Sequence, residues 1–350
     1  MSLGDTIGTP WSQEDCDKAI HALEQADSLR ILVVGDLMVD AYLLGKVERI
    51  SPEAPVPILR ASRRERRPGG AANVALNLLA LGVEPTVAGI IGNDPEGQDL
   101  RSAMEDLGMD TAGVLALDDR RTTIKTRVMS GGQHLLRVDE EDDVDLEGED
   151  AQQFLGQLAT VLAAKRFDAI LIEDYDKGAL SPTVIEGLLH MAREKDIPVT
   201  VDPKFRHFDC YKGVSLFKPN LKEFRDGLGL IWEDGDTHAM GHAMEEGLER
   251  LMEKWEPEMI LLTLSEHGVR IRTLMEDVQH AAHPREILDV SGAGDTVIAV
   301  ATVLLAQGVP ASTLAQVANL AGGWVCEKSG VVPVDRRALV EEIRRLPVTT

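Results

Sequence analysis

Residues 287–300 read ILDVSGAGDTVIAV. Three small residues, Gly292, Ala293 and Gly294, precede one carboxylate, Asp295, and then an apolar run that reads as the start of a helix. Amides at a helix start have no partner inside the helix, and the helix dipole adds to their attraction for an anion. Small side chains let that anion approach the backbone closely. Asp295, in the first turn, would lie beside it. A carboxylate there can take a proton from an attacking hydroxyl, while the 292–294 amides offset charge developing on a phosphoryl group in transfer. Taken alone, the same pattern is more often a tight turn with an acid at a helix N-terminus. A dinucleotide fingerprint fits poorly: the third glycine is missing, and no acidic residue occurs between Asp295 and Glu327. No G-x-x-x-x-G-K-[ST] phosphate loop is present.

The elements that would position this turn follow from the hydrophobic pattern. RILVVGD (30–36), FDAILIEDY, IPVTVDP, VSLFKPN and MILLTLSEHG are short apolar runs ending in polar residues, as buried parallel strands do, and TVAGIIG (86–92) reads as another buried strand. Helical stretches alternate with them. One follows Ser12, another opens at Gly69-Gly70, and three close the chain from 294 onward. Such alternation predicts a parallel sheet with helices on both faces, and ligands bind there at the carboxyl ends of the strands. The polar residues at those ends include Asp36, Asp40, Asp174, Asp202, Asn220 and Ser265. Residues 41–68 hold four prolines and short alternating segments. Residues 121–139 form two alternating runs joined at Gly131-Gly132, a hairpin pattern. Together they predict a small β-layer outside the main sheet. The acidic stretch 139–150 reads as a solvated loop.

Composition narrows the partners. A formal net charge of −23 argues against nucleic acid or an anionic membrane, which require a basic footprint. It leaves room for anionic metabolites held in a local basic pocket. Cys16, Cys210 and Cys326 are odd in number and far apart, which suits a reducing compartment. No apolar run approaches the ~18 residues of a membrane span, and the N-terminal residues lack a signal-peptide pattern. The expectation is a cytoplasmic protein.

GGAANVALNLLALG, NLKE and DVSGAGD, in this order on an alternating α/β chain, resemble the ribokinase-like (pfkB) sugar kinases over roughly residues 30 to 345. The resemblance implies an α/β, ribokinase-like three-layer sandwich with a mostly parallel central sheet. It also implies one kinase domain with a small β-lid from about 41–68 and 121–139. It implies ATP as phosphoryl donor with Mg2+, Asp295 as catalytic base, and Gly292, Ala293 and Gly294 as anion hole. Asn220 and Glu223 of NLKE would stand near the nucleotide phosphates and Mg2+, meeting the metal through water, with Ser265, Gly268 and Asn319 near ATP. Asp36, Asp40, Gly69, Gly70 and Asn73 would meet the sugar. A monovalent cation, K+, would sit near Asp289 and Ser291, and lids of this family often pair, which implies a homodimer.

RISPEAPVP, ERRPGGAANVA, DYDKGAL, KPNLKEF and DVSGAGDTVI are similar to the branch that phosphorylates D-glycero-β-D-manno-heptose 7-phosphate at its anomeric hydroxyl, on the route to ADP-heptose. The chain resembles a stand-alone kinase of that branch, without the nucleotidyltransferase half that some relatives carry. Such a phosphosugar needs cations at its far end, and Arg137 and Lys177 are the candidates. The alternatives are a kinase for fructose, ribose or fructose 6-phosphate, and a non-catalytic sugar-phosphate sensor.

Overall fold

The computed structural model describes residues 11–233 and 236–348. The main sheet contains β1 (Arg30–Gly35), β4 (Glu84–Gly92), β5 (Asp110–Leu117), β8 (Ala169–Glu173), β9 (Val199–Asp202), β10 (Leu216–Phe217), β11 (Met259–Thr263), β12 (Val269–Arg272) and β13 (Asp277–His280). Their order is β13-β12-β11-β10-β9-β8-β1-β4-β5. Pairing is parallel from β5 to β11, and antiparallel only for β12 and β13. A second sheet, of order β3-β2-β6-β7, contains β2 (Leu37–Ile50), β3 (Pro57–Gly70), β6 (Thr123–Ser130) and β7 (Gln133–Glu140).

Strand β1 shows why an unbroken apolar run becomes a central strand. Ile31 and Val33 enter one core, and Leu32 and Val34 enter the other. Each apolar side chain so buried contributes about 1.5–3 kcal/mol. The first core packs α1 (Gln13–Glu24), α2 (Ala71–Ala80), α8 (Ala293–Ala306), α9 (Ala311–Cys326) and α10 (Arg336–Arg345) on one face of the sheet. The second packs α4 (Gly148–Ala164), α5 (Pro182–Glu194), α6 (Leu221–Leu228) and α7 (Thr237–Trp255) on the other. Helix α3 (Pro95–Asp106) precedes β5. The result is three layers, as the sequence predicts.

Four elements escape the sequence reading: β5, α4, α6 and β13. Helix α4 does carry an apolar stripe, with Ala151, Phe154, Leu158, Val161 and Leu162 buried, but it begins inside the acidic stretch. That stretch is not simply solvated, which corrects the expectation. Asp139 and Glu140 belong to β7, Glu141 grips two lysines, Asp143 pairs with Arg206, and Leu146 is buried. The small sheet also runs further than 41–68 and 121–139. Strand β2 begins one residue after Asp36, and β3 ends at Gly70, the N-cap of α2. The ladder from Leu37↔Gly70 to Ile50↔Pro57 ties the small sheet to the end of β1 and the start of α2. Among the described residues no helix is long and apolar enough to cross a membrane.

Candidate active site

Asp295 lies in the first turn of α8, just after Gly292 with φ of 79°. That left-handed conformation favours glycine, and a Cβ there would come within 3.1 Å of Val331. The Asp295 carboxylate is buried and held from two sides. Asn73 Nδ2, on α2, donates to Oδ2, and the Tyr175 hydroxyl donates to Oδ1 at 3.1 Å. Burial raises its pKa above the usual carboxylate range. The Asn73 bond opposes that shift, Asp202 adds to it, and the Tyr175 bond and Lys218 oppose it. A carboxylate has about four lone-pair sites, so two donors leave capacity for a substrate hydroxyl. One expectation needs correcting: the Ala293 amide closes a turn onto the Val290 carbonyl at 3.3 Å, so the three amides are not all unengaged.

The loop that carries Tyr175 is organised by Asp36. Its Oδ2 accepts the N–H groups of Tyr175 at 2.8 Å and Lys177 at 3.0 Å, and its Oδ1 accepts that of Ala179 at 3.1 Å. The sequence reading offers Asp36 to a sugar hydroxyl, whereas the structure buries it and engages both oxygens inside the protein. Asp40 pairs with Arg127 across the small sheet and lies against Gly69, where a Cβ would come 2.4 Å from its Oδ2. Gly70, at φ 61°, caps α2 and so orients Asn73. Lys177 Nζ donates to Glu141 at 2.8 Å, and Lys125 Nζ donates to the other oxygen at 3.0 Å. Arg137 is more exposed and forms a two-pronged pair with Asp139, at 2.9 Å on both prongs.

Asp295 also lines a cleft of about 1230 Å3 with Ala293, Gly294, Asn220, Glu223, Ser265, Gly268 and Asn319. The remaining sugar candidates, around the small sheet and the 174–179 loop, do not line it. Asn73 and Tyr175 connect the two groups through Asp295. Asn220 and Glu223 form a capping box on α6. Asn220 Oδ1 accepts Glu223 N–H at 2.8 Å, and Glu223 Oε2 accepts Asn220 N–H at 2.9 Å. The other Glu223 oxygen takes Lys204 Nζ. Gly268 has φ of 87°, and a Cβ there would fall 2.0 Å from the His280 carbonyl. Ser265 begins a short turn at φ 52°, and Asn319 Nδ2 donates to the Ala281 carbonyl at 2.8 Å. Asp289 accepts the N–H groups of Ser291 at 2.9 Å and Gly330 at 3.1 Å. Burial works against its charge, but those bonds outweigh it and hold its pKa low.

The sequence reading missed Tyr175, Lys204 and Lys218. Lys218 is almost fully buried and pairs with Asp202 at 2.8 Å. Burial opposes the charge on both lysines. Asp202 and Glu223 outweigh it and keep them cationic. The usable signal was local: each lies within two residues of a strand end, as does Asp202. A carboxylate held by two donors, beside a cleft with one buried and one half-buried cation, suits transfer of a phosphoryl group to a hydroxyl.

Known proteins decide the family. Residues 28–336 match the description of the pfkB family carbohydrate kinases. The chain belongs to this family. As a pfkB kinase it is an ATP-dependent sugar kinase. It is 39% identical over 318 residues to the bifunctional protein HldE of Methylobacillus flagellatus, covering 91% of this chain and 64% of that protein. Against HldE of Magnetococcus marinus the identity is 40% over 329 residues, with 91% and 65% covered. The chain thus spans slightly under two thirds of these relatives' length. Escherichia coli phosphofructokinase-2 in complex with potassium superposes with a TM-score of 0.73 at 18% identity, covering 91% of this chain and 99% of that one. Arabidopsis thaliana ribokinase complexed with ribose and ATP gives 0.66 at 16%, covering 90% and 98%. This pfkB chain shares their fold.

Proposed function

We propose that this pfkB kinase phosphorylates D-glycero-β-D-manno-heptose 7-phosphate at its anomeric hydroxyl, giving the 1,7-bisphosphate used for ADP-heptose and the lipopolysaccharide core. The observation that carries the reading is Asp295, held by Asn73 and Tyr175 where the cleft meets the small sheet. The sugar lies between the small sheet, acting as a lid, and the 174–179 loop. Its anomeric hydroxyl gives a proton to Asp295 and attacks the γ-phosphate in line, while the amides of Gly292 and Gly294 and the dipole of α8 offset the developing charge. Asp36 holds the loop, and Asn73, Asp40 and Gly69-Gly70 shape the sugar side. Lys177 and Lys125, with Arg137 at the rim, take the 7-phosphate. ATP occupies the cleft along Ser265, Gly268 and Asn319.

The oxygen donors Asn220 and Glu223 fit Mg2+, which keeps several waters of its own. Both Glu223 oxygens are already engaged, so contact through water suits them better than direct ligation. When bound, that ion neutralises phosphate charge. K+ would meet Asp289 and Ser291 through the lone pairs their turn leaves open.

The test is ADP release with Mg-ATP and a panel of heptose 7-phosphate (both anomers), fructose 6-phosphate, fructose and ribose. Turnover confined to heptose 7-phosphate is expected. Turnover on a neutral sugar instead would keep the fold and the base and overturn the substrate.

A further inference from the structure

Glu173, the last residue of β8, takes no part in the site above, yet it lies beneath it. It is wholly buried, and among the described residues neither carboxylate oxygen has a hydrogen-bond partner. Strand β8 sends Ala169 and Leu171 into the core that contains α8, and Ile170 and Ile172 into the opposite core. Strand alternation therefore puts Glu173 on the α8 side. Its register partner on β9 is Asp202, whose Oδ1 is also buried and unpartnered.

The charged and titratable groups facing Glu173 come from every neighbouring element. They are Asp202 from β9, Lys204 from the turn after it, Lys218 from beyond β10, Asp295 from α8, and Tyr175 from its own loop. Asp36, at the end of β1, is turned to the loop amides, and α2 offers the neutral Asn73. Both lysines are already engaged, Lys218 by Asp202 at 2.8 Å and Lys204 by Glu223. An ionised Glu173 would be a buried charge with neither hydrogen bond nor direct counter-ion, and such groups neutralise instead.

We propose that Glu173 is a positioning residue for phosphoryl transfer, carried as a neutral acid so that, among Glu173, Asp202 and Asp295, the last is left as the ionised carboxylate without a paired lysine. This rests on the reading of Asp295 as base. Burial first, then Asp202 and Asp295, push the Glu173 pKa well up, while Lys204 and Lys218 oppose only in part. When the proton leaves for solvent, a further negative charge appears behind Asp295 and opposes the arriving polyphosphate.

A group whose folded pKa is raised contributes stability that is fully present below its unfolded pKa and is lost as pH rises through the folded one. Wild type and Glu173→Gln are compared from acid to alkaline pH, by kcat/KM for ATP and by the urea midpoint. The wild-type midpoint should fall as pH rises from the ordinary Glu pKa to the raised folded one and level off beyond it, kcat/KM should fall about tenfold per unit beyond the folded pKa, and the Gln variant should lack both declines. Coincident alkaline limbs and coincident midpoints would overturn the proposal. Should the Gln variant fail to fold, infrared spectra of the wild type with 13C-carboxyl glutamate decide. A protonated-acid band at neutral pH that vanishes on alkalinisation supports the proposal, and its absence overturns it. If Asp295→Asn stays active, the base assignment falls separately, and the midpoint and infrared readings still report on the Glu173 proton.

Discussion

In the proposed reaction Asp295 concentrates the chemistry in one side chain, and its neighbours determine how it titrates. Replacing it with Asn keeps the shape, leaves one acceptor oxygen in place of two and removes the proposed base. Turnover of Asp295→Asn should fall by about 10²–10⁴-fold, with ATP binding retained by calorimetry. Near-normal ADP release would remove the assignment. The Asn73 bond lowers a pKa that burial has raised. Since the base works only when deprotonated, the acid limb of kcat/KM should lie above the ~3.9 of an ordinary Asp. Asn73→Ala deletes the opposing bond and should move that limb to still higher pH. An unmoved limb would show that another group titrates there.

At the scale of elements, the site depends on how a few chain segments begin and end. Gly292 must be left-handed for α8 to start where it does. The Asn220–Glu223 capping box starts α6 at the cleft wall, and the same Glu223 holds Lys204. Asn220→Ala should therefore cost about 1 kcal/mol, as lost N-caps usually do, read from the urea midpoint. The KM for ATP should also rise, because the cap and the cleft wall are one structure. A loss of stability with KM unchanged would separate α6 from nucleotide binding. The 174–179 loop follows the same logic: one buried carboxylate, Asp36, satisfies three backbone amides and so places Tyr175 and Lys177.

For the whole molecule, the small sheet is the proposed cover of the site and also has an unsheltered edge. Strand β7 lies at its border with Leu135, Leu136 and Val138 exposed, Leu136 at 60%. Exposed apolar edge strands invite pairing with another chain, and a two-fold contact through this sheet would cover them. Sedimentation should show a dimer, and Leu136→Asp should shift it toward monomer. A wild type that sediments as a monomer at micromolar concentration would remove the lid-to-lid contact. The net charge of −23 adds self-repulsion at long range, so the dimer should tighten with salt.

Much of this molecule was determined by local pattern, which sequence carries directly. Apolar runs, most of them ending in polar residues, marked β1, β4, β8, β9 and β11, because a strand buried on both faces needs apolar residues throughout. Gly131-Gly132 marked the β6–β7 hairpin, and the small residues before Asp295 marked the start of α8, because both need backbone freedom or close approach. Residues 110–117 stayed dark because a short edge strand has little pattern. Residues 148–164 stayed dark because an acidic run sits over the start of α4. Tertiary structure alone decided which polar groups meet. Nothing local tells Asp36 to bind amides some 140 positions away, or Asn73 to reach Asp295. Lysine is normally a surface residue, so Lys218 becomes a buried cation only because β9 and β10 bring Asp202 beside it. Glu173 reads as one more strand-end acid until the fold removes its water and gives its neighbours' lysines to other carboxylates. Period and spacing are properties of the chain, whereas the charge state of a buried group depends on everything packed around it.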